Sequence, residues 1–236
     1  MFGPQGPRFS ELIRQALSST RGGYDLLAPK FEATPFRTPD ALLSHVARYL
    51  SEGPPVSRLL DVCCGTGAAL RHLRPLCEHA VGVDFSPGML AQAQFLLAEV
   101  EGAPLQLVRG DARCLPFREG FDVAVCFGAL GHFPPEEQPA LLENVFRVLA
   151  PGGRFVFVTA EPPPPSRAAY WAAHAFNAAM RVRNALIRPA FIMYYLEFTL
   201  ADAVARLVEA GFDPEVRPLG WSERPDLQLV VGHKPG

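Results

Sequence analysis

The sequence has little net charge, little lysine and no long apolar run, and these shortages exclude several classes of protein. Its 22 lysines and arginines nearly balance 24 aspartates and glutamates, so the formal net charge of the 236 residues is −2. A dedicated nucleic-acid-binding protein needs a net basic field to engage phosphates. No apolar stretch approaches the ~18–20 residues of a membrane span, and residues 1–14 lack the pattern of a secretory signal. We therefore expect a cytoplasmic protein that neither inserts into a membrane nor binds nucleic acid.

Cysteine is also scarce, and its spacing is unsuited to metal binding. The five cysteines are Cys63, Cys64, Cys77, Cys114 and Cys126. They form no CxxC pair and no Cys/His cluster at the spacing of zinc ligands. An odd number of cysteines, mostly inside apolar runs, is typical of reduced, buried thiols in a cytoplasm. The sequence therefore predicts no metal site.

The chain does have the apolar content of a folded protein, with 49% hydrophobic and 19% charged residues. Disorder is excluded as the main state, because such a chain can bury enough apolar surface to offset its conformational entropy. At ~100–200 residues per domain, the length allows one large domain or two small ones.

From residue 57 onward, short apolar runs alternate with helical patterns, which indicates βα units around a parallel sheet. The predicted strands are Arg58–Val62, His79–Asp84, Leu105–Arg109, Phe121–Phe127, Arg154–Ala160, Phe212–Pro218 and Leu227–His233. The predicted helices are 8–19, 40–52, Gly67–Leu73, Ser86–Val100, Glu136–Leu149, 166–188 and Thr199–Ala210. The fold class is therefore α/β.

A glycine turn follows the first predicted strand, at Gly65-Thr66-Gly67. Such a turn brings bare backbone against a ligand at a helix N-terminus. A dinucleotide fingerprint has a third glycine three positions later, but Leu70 stands there. Asp61, at the strand end, would repel a pyrophosphate and better suits a ligand that carries an amine.

Two more acids follow predicted strands. Asp84 closes an apolar strand at the carboxyl edge of the sheet, where doubly wound folds bind ligands. Its carboxylate suits two vicinal hydroxyls of a ribose. The alternative role is capping of the next helix, for which Ser86 and Pro87 also provide start signals. Asp111 follows the third strand in the same way.

Taken in order, these motifs resemble the class I S-adenosylmethionine-dependent methyltransferases. The chain is most similar to the small-molecule branch that includes the ubiquinone/menaquinone-type methyltransferases. The resemblance covers residues 57–160. It rests on Asp61…Gly65-x-Gly67, Val83-Asp84-Phe85-Ser86, Gly110-Asp111-Ala112, Phe121-Asp122-Val123 and Leu149-x-Pro151-Gly152-Gly153. Cys63 departs from the family pattern, which has its first glycine at that position.

The resemblance implies a Rossmann-like three-layer sandwich around a mostly parallel, seven-stranded sheet with an antiparallel last strand. It also implies a single methyltransferase domain over residues 1–236. The core would comprise residues 57–160 and 199–236. Residues 1–56 would form an N-terminal lid, and residues 161–198 an inserted cap that faces the acceptor.

By the same resemblance, the cofactor is S-adenosylmethionine, and S-adenosylhomocysteine is the product. The residues that would bind it are Tyr24 from the lid, Asp61, Cys63, Cys64, Gly65, Gly67, Asp84, Phe85, Met89, Asp111, Ala112 and Phe127. Asp61 and the glycine loop would hold the methionine moiety, and Asp84 would take the ribose hydroxyls.

The methyl acceptor is expected to be a small molecule, and neither its identity nor the methylated atom follows from the sequence. His132, just past the fourth strand, is a candidate general base, with a packing or hydrogen-bonding role as the alternative. The other candidate substrate contacts are Tyr170, Trp171, His174, Tyr194 and Tyr195. The cap has a local charge of about +4 and no acid between Pro162 and Leu196. Such a segment suits an apolar or aromatic acceptor, or contact with a membrane surface.

Three other functions compete with methyl transfer to a small molecule. A nicotinamide-dependent reductase normally needs Tyr-x-x-x-Lys, but Leu26 and Val230 stand four residues before the only two lysines, Lys30 and Lys234. A nucleic-acid methyltransferase is disfavoured by the net charge and by the sequence Cys-Phe-Gly-Ala after the fourth strand. A non-catalytic protein that binds the same cofactor is the third alternative.

Overall fold

Seven strands form one sheet in a computed structural model that describes residues 5–236. The strands are β1 Val56–Val62, β2 Cys77–Asp84, β3 Leu105–Arg109, β4 Phe121–Val125, β5 Leu149–Ala160, β6 Asp213–Pro218 and β7 Leu227–His233. Their order across the sheet is β3-β2-β1-β4-β5-β7-β6. The first five strands are parallel, and β7 runs antiparallel to both β5 and β6. This confirms the mostly parallel sheet with an antiparallel last strand.

Eight α-helices accompany these strands in the described part of the chain. They are α1 Phe9–Leu17, α2 Thr20–Leu27, α3 Asp40–Ser51, α4 Ala68–Leu73, α5 Pro87–Leu97, α6 Gln138–Val148, α7 Ala168–Leu186 and α8 Leu200–Glu209. A 3-10 helix, Ala28–Ala33, continues from α2. Within residues 5–236, no helix combines the length and apolar character that crossing a membrane requires.

The apolar core lies on both faces of the sheet. Consecutive strand residues point to opposite faces, so Leu59 packs with α3, α4 and α5 while Leu60 packs with α6 and α8. Phe121, Phe155 and Phe157 are fully buried on the second face. Burial on both faces explains why the parallel strands read as continuous apolar runs. The three-layer sandwich is confirmed.

The main differences from the predicted elements lie at strand ends and near the N-terminus. The fourth strand ends at Val125 instead of Phe127, because Gly128 has a φ of +70° and turns the chain out of the sheet. Helix α2 was not predicted, since Gly22 and Gly23 weaken its helical pattern. The side chain of Ser19 caps α2 by accepting a hydrogen bond from the Gly22 N–H. The first four residues of the predicted lid lie outside the described residues.

Candidate functional site

A cavity of about 570 Å³ opens at the carboxyl ends of β1, β2 and β4. Parallel strands deliver their C-terminal loops to one edge of the sheet, which is where doubly wound folds bind ligands. The register pairs Val62 with Val83, so β1 and β2 end side by side. Residues of α2 and of the segment after α7 line the opposite wall, including Tyr24 and Tyr194.

The glycine loop after β1 lines this cavity through Cys63, Cys64 and Gly65. Gly65 has a φ of +54°, and a Cβ added there would meet no atom within 4 Å. The space beside its backbone is therefore open to a ligand. Cys63, at the family's glycine position, also adopts the left-handed region with a φ of +59°.

Gly67 has a different role from the one predicted, because it does not line the cavity. It is the left-handed residue before α4, with a φ of +83°. A Cβ at this position would lie 2.5 Å from Cδ1 of Leu97. The glycine is therefore required for close packing of the loop against α5.

Asp84 organises the loop as well as facing the cavity. Its Oδ2 accepts a hydrogen bond from the Gly65 N–H at 2.9 Å, and its Oδ1 accepts one from the Ser86 N–H at 2.9 Å. Burial raises the pKa of Asp84, and these backbone donors partly offset that effect. Each carboxylate oxygen retains a lone pair for a further donor. The helix cap itself is the Ser86 hydroxyl, which accepts a hydrogen bond from the Met89 N–H, so Asp84 remains available for a ligand role.

Asp61 and His132 each carry a buried polar atom at the site without a hydrogen-bond partner, Oδ2 in Asp61 and Nδ1 in His132. Asp61 is only 2% exposed. Burial raises the pKa of Asp61 well above its ordinary value, and the nearby charge of Asp84 raises it further. A buried carboxylate without a partner is costly. The site is therefore built to receive a hydrogen-bond donor or a cation.

Four of the other predicted cofactor residues line the same cavity: Phe85, Met89, Ala112 and Phe127. Asp111 lines it too, but its carboxylate is already paired with the Arg113 guanidinium at 2.6 Å. That guanidinium lowers the pKa of Asp111 and also pairs with Glu137 at 2.8 Å. Asp111 is consequently held in an ion pair at the rim of the site.

Tyr24 and His132 meet in the middle of the cavity wall. The Tyr24 hydroxyl and His132 Nε2 lie 3.1 Å apart, and the two rings are perpendicular at 84°. Burial raises the pKa of Tyr24 and lowers that of His132. Both groups are therefore neutral near pH 7, and His132 can accept a proton there.

Two acids of the N-terminal segment, absent from the sequence predictions, attach it to the core. Oδ1 of Asp25 accepts hydrogen bonds from the Ser86 hydroxyl at 2.6 Å and from the Gly88 N–H at 2.9 Å. Glu32 accepts one from the Thr66 hydroxyl at 2.7 Å, within the glycine loop. The one signal in the sequence is that Asp25 follows Tyr24, a predicted lid residue. The partners of the two acids, at residues 66–88, lie too far away in sequence for these contacts to be predicted.

The predicted acceptor residues divide into two groups. Tyr194 and Tyr195 line the cavity with Phe198. Tyr170, Trp171 and His174 do not line it, so their substrate role remains a prediction without support from the cavity. They contact one another along α7, and Trp171 is 63% exposed.

Two buried amides of α7 hold residues 187–198, the segment after that helix, in place. Neither amide was predicted from the sequence. Asn184 accepts a hydrogen bond from the Phe191 N–H and donates to the Phe191 carbonyl. Asn177 makes the same pair of bonds with the backbone of Tyr195. These clamps present one side of the segment to the cavity and leave the aromatic stripe of α7 outside.

Cys63 and Cys64, in the glycine loop, are protonated thiols. A hydrogen bond between the Cys63 thiol and Cys126, together with burial, raises the pKa of Cys63, and burial raises that of Cys64. Such thiols are poor nucleophiles and poor metal ligands. No group of three or more potential metal ligands occurs among residues 5–236.

Comparison with known proteins gives the same family. Residues 59–153 match a family of methyltransferase domains. Demethylmenaquinone methyltransferase of Thermus thermophilus is 41% identical over 111 residues, which cover 45% of this chain and 49% of that protein. The Oceanobacillus iheyensis enzyme of the same name is 32% identical over 168 residues, 65% of this chain and 68% of that protein. The chain spans about half the length of the first curated relatives it matches.

A solved complex of DhpI with SAH has the same fold, with a TM-score of 0.67 and 20% identity, over 97% of this chain and 99% of that one. The sheet order, the glycine loop and the acids at the strand ends define a Rossmann-like nucleoside-binding class of protein. Within that class, the chain belongs to the class I S-adenosylmethionine-dependent methyltransferases, in the menaquinone-type branch.

Proposed function

We propose that this protein transfers a methyl group from S-adenosylmethionine to a small, apolar or aromatic acceptor. The observation that carries the proposal is the buried, unpartnered Oδ2 of Asp61 beneath the open backbone of Gly65. An amine at this point would satisfy the carboxylate and cancel the repulsion from Asp84.

The residues around the cavity fit this cofactor. Asp61 would take the amine of the methionine moiety, with the backbone of Cys63, Cys64 and Gly65 beside it. Asp84 has lone pairs left for the ribose hydroxyls. Phe85, Met89, Ala112 and Phe127 supply an apolar surface for the adenine. Tyr24 would cover the cofactor from the lid, and Asp111 would meet the adenine edge.

When bound, the cofactor supplies a methyl group on a sulfonium, which needs no further activation. The protein has two tasks: to align the acceptor with that methyl group and to exclude water. Both are served by the cover formed by α2 and residues 187–198, which are attached through Asp25, Asn177 and Asn184.

His132 is the candidate general base of the proposal, because it lines the cavity and burial keeps its ring neutral. Its neutral ring lies at the cavity wall, held at Nε2 by the Tyr24 hydroxyl. It would accept the proton of an acceptor hydroxyl. On an aromatic ring, loss of that proton makes both the oxygen and the adjacent ring carbon more nucleophilic.

An apolar ring suits the acceptor end of the cavity, where Tyr194, Tyr195 and Phe198 lie. The relatives named for demethylmenaquinone support a quinone-like acceptor. The same proposal holds the chain to be one methyltransferase domain with a lid and a cap, acting in the cytoplasm without nucleic acid.

The nicotinamide alternative finds no support in the cavity. Neither lysine lines it: Lys30 pairs with Glu11, and Lys234 pairs with Glu119. A non-catalytic cofactor-binding protein is separated from an enzyme by the second experiment below.

Binding is tested by thermal unfolding with S-adenosylhomocysteine, with NADH as the matched control. At a hundredfold excess over Kd, a ligand stabilises by about 2.7 kcal/mol, which raises the Tm of a chain this long by several degrees. A shift with NADH but none with S-adenosylhomocysteine would refute the proposal.

Transfer is tested by a screen of quinols and phenols with methyl-labelled cofactor. Label in an extracted apolar product supports the enzyme. Binding without label transfer to any ring acceptor would favour the non-catalytic alternative.

A further inference from the structure

Helix α1 exposes its apolar side and buries a polar one. Phe9, Ile13 and Leu17 follow one another at intervals of four residues, which places them on one face of the helix. They are 63%, 44% and 52% exposed, whereas Gln15 is the buried residue of the helix. A helix that packs on a core normally does the opposite.

Helix α7 repeats this inverted arrangement over 19 residues. Its buried residues are Asn177 and Asn184. Trp171, Val182 and Leu186 are 63%, 59% and 80% exposed, and alanines occupy much of the remaining outer surface. A large exposed apolar patch on a folded domain marks a surface that something else covers.

The two helices belong to one cover over the cavity. The Arg183 guanidinium of α7 donates to the carbonyls of Ala16 and Ser18, at the end of α1, at 2.7 and 2.8 Å. The elements that follow them in the chain line the cavity: α2 follows α1 and contributes Tyr24, and residues 187–198 follow α7 and contribute Tyr194. We call Phe9, Ile13, Leu17, Trp171, Val182 and Leu186 the outer apolar surface.

The net charge around this surface is positive, because Glu11 of α1 is already paired with Lys30. The segment between Pro162 and Leu196 contains no acid and four arginines, Arg167, Arg181, Arg183 and Arg188. Arg181 pairs with Glu197, while Arg14 and Arg188 have no acidic partner within residues 5–236. A partner for this surface must therefore be both apolar and anionic.

A second copy of the chain does not meet that requirement. A two-fold dimer through this surface would bring the same patch against itself. Arg167 and Arg188, at the two ends of α7 and without an acidic partner among the described residues, would then meet further positive charge. An anionic lipid bilayer offers an apolar interior beneath negative headgroups, and amphipathic helices with arginine and tryptophan lie in that interface.

We infer that the outer apolar surface of α1 and α7 docks on an anionic lipid bilayer, with both helices in the plane of the headgroups. Docking needs neither cofactor nor methyl transfer. Only one consequence rests on the proposed function: an apolar acceptor would enter the cavity from the membrane side of the cover.

Co-sedimentation with vesicles tests the docking. The full chain is mixed with vesicles of phosphatidylcholine alone or with one third phosphatidylglycerol. We expect partition into the anionic vesicles, several-fold weaker binding to the neutral ones, and a further decrease at high salt. Equal binding to both compositions, or to neither, would overturn the inference.

Val182→Glu and Val208→Glu form a matched pair, because these two valines are 59% and 58% exposed. Val182→Glu places a charge in the proposed interface and should reduce the partition coefficient at least tenfold. Val208→Glu, on α8, should leave it unchanged. Arg188→Gln should weaken anionic binding about fivefold. Equal losses in both valine variants would contradict the assignment of the surface.

Trp171 provides a direct reading of depth. In a Trp221→Phe background, Trp171 is the remaining tryptophan, so its fluorescence should shift to the blue with anionic vesicles and be quenched by brominated lipid. No quenching, or a dimer in equilibrium sedimentation that Val182→Glu dissociates, would overturn the inference in favour of a second copy. The Tm response to S-adenosylhomocysteine, measured without vesicles, tests the proposed function separately.

Discussion

The hydroxyl of Tyr24 lies 3.1 Å from Nε2 of His132, although 108 positions separate the two residues in sequence. Tyr24 belongs to α2 of the N-terminal segment, and His132 follows β4 in the core. Their hydrogen bond therefore joins the cover to the wall of the candidate site. Since burial keeps both groups neutral, the bond persists near pH 7.

Replacement of the proposed base tests its chemical role. His132→Gln should lower kcat by 10²–10⁴-fold and leave the Kd of S-adenosylhomocysteine within about twofold. Burial lowers the pKa of His132, so wild-type activity should fall only below pH ~6.5, the ordinary histidine value. That acidic limb should vanish in the variant. His174→Gln, outside the cavity, is the control and should keep normal kinetics.

Removal of the Tyr24 hydroxyl tests the connection between cover and core. Tyr24→Phe keeps the ring but loses one part-buried hydrogen bond, so the free energy of unfolding should fall by about 1 kcal/mol. We expect kcat to fall about tenfold, because His132 loses its positioning partner. Tyr49→Phe removes a tyrosine hydroxyl far from the site. Equal kcat losses in both variants would refute a specific role for Tyr24.

Asp61 should destabilise the free protein and stabilise the complex. Because its folded pKa is raised above the unfolded value of about 3.9, its contribution makes unfolding easier as the pH rises from that value towards the folded pKa. Asp61→Asn should raise the unfolding free energy at pH 7 by ~1–3 kcal/mol and abolish most of the Tm response to S-adenosylhomocysteine.

Chemical denaturation between pH 4 and 8 measures this change. Asp122→Asn, at the opposite end of the sheet, is the control. Its carboxylate accepts hydrogen bonds from the Ser57 and Arg58 N–H groups, so its loss should destabilise. An Asp61→Asn variant that is less stable and still binds normally would contradict the account of the site.

Substitutions at two glycines distinguish the effect of backbone strain from the effect of losing a ligand contact. Gly65 and Gly152 have φ values of +54° and +73°, and a Cβ at either would meet no atom within 4 Å. Alanine should cost each about 1 kcal/mol in stability. Only Gly65→Ala should weaken cofactor binding, by tenfold or more, because only Gly65 lines the cavity. Calorimetric titration of the two variants with S-adenosylhomocysteine gives the comparison. Equal Kd values would refute the proposed contact between the cofactor and the backbone of Gly65.

The attachment of the N-terminal segment can be loosened at Glu32. This carboxylate accepts from Thr66 and pairs with Arg37 at 2.8 Å. Glu32→Gln should increase hydrogen exchange in residues 20–33 several-fold while the sheet stays protected. Glu11→Gln breaks only the half-exposed pair with Lys30 and should have little effect. Faster exchange throughout the sheet would indicate global destabilisation instead.

The sheet could be predicted because its signals are local. Burial on both faces makes each parallel strand an apolar run, and an acid at the end of a strand is recognisable at once, as with Asp84. Six strands occur within two residues of their predicted limits, and Leu227–His233 matches at both ends, but β5 begins at Leu149, five residues before the predicted start. Helix α2 escaped because its stability comes from contacts, such as the close approach of Phe191 to Gly23.

Which face of α7 is buried could not be predicted. Periodicity defines an apolar stripe along a helix, but it does not show whether that stripe faces the core or the solvent. The apolar and aromatic stripe suggested a pocket wall at Trp171, whereas the amides of Asn177 and Asn184 turn inward to satisfy the backbone of the next segment. Asp25 and Glu32 were missed for a related reason: their partners are brought close only by the complete fold.

The position of β7 in the sheet has a consequence for folding during translation. This strand follows both β5 and β6 in the chain, yet it lies between them and pairs with both. Until it emerges, β5 has an open edge and β6 has no neighbour. From the synthesis of β5 until β7 emerges, the nascent chain therefore carries an unpaired strand edge, which is an aggregation hazard.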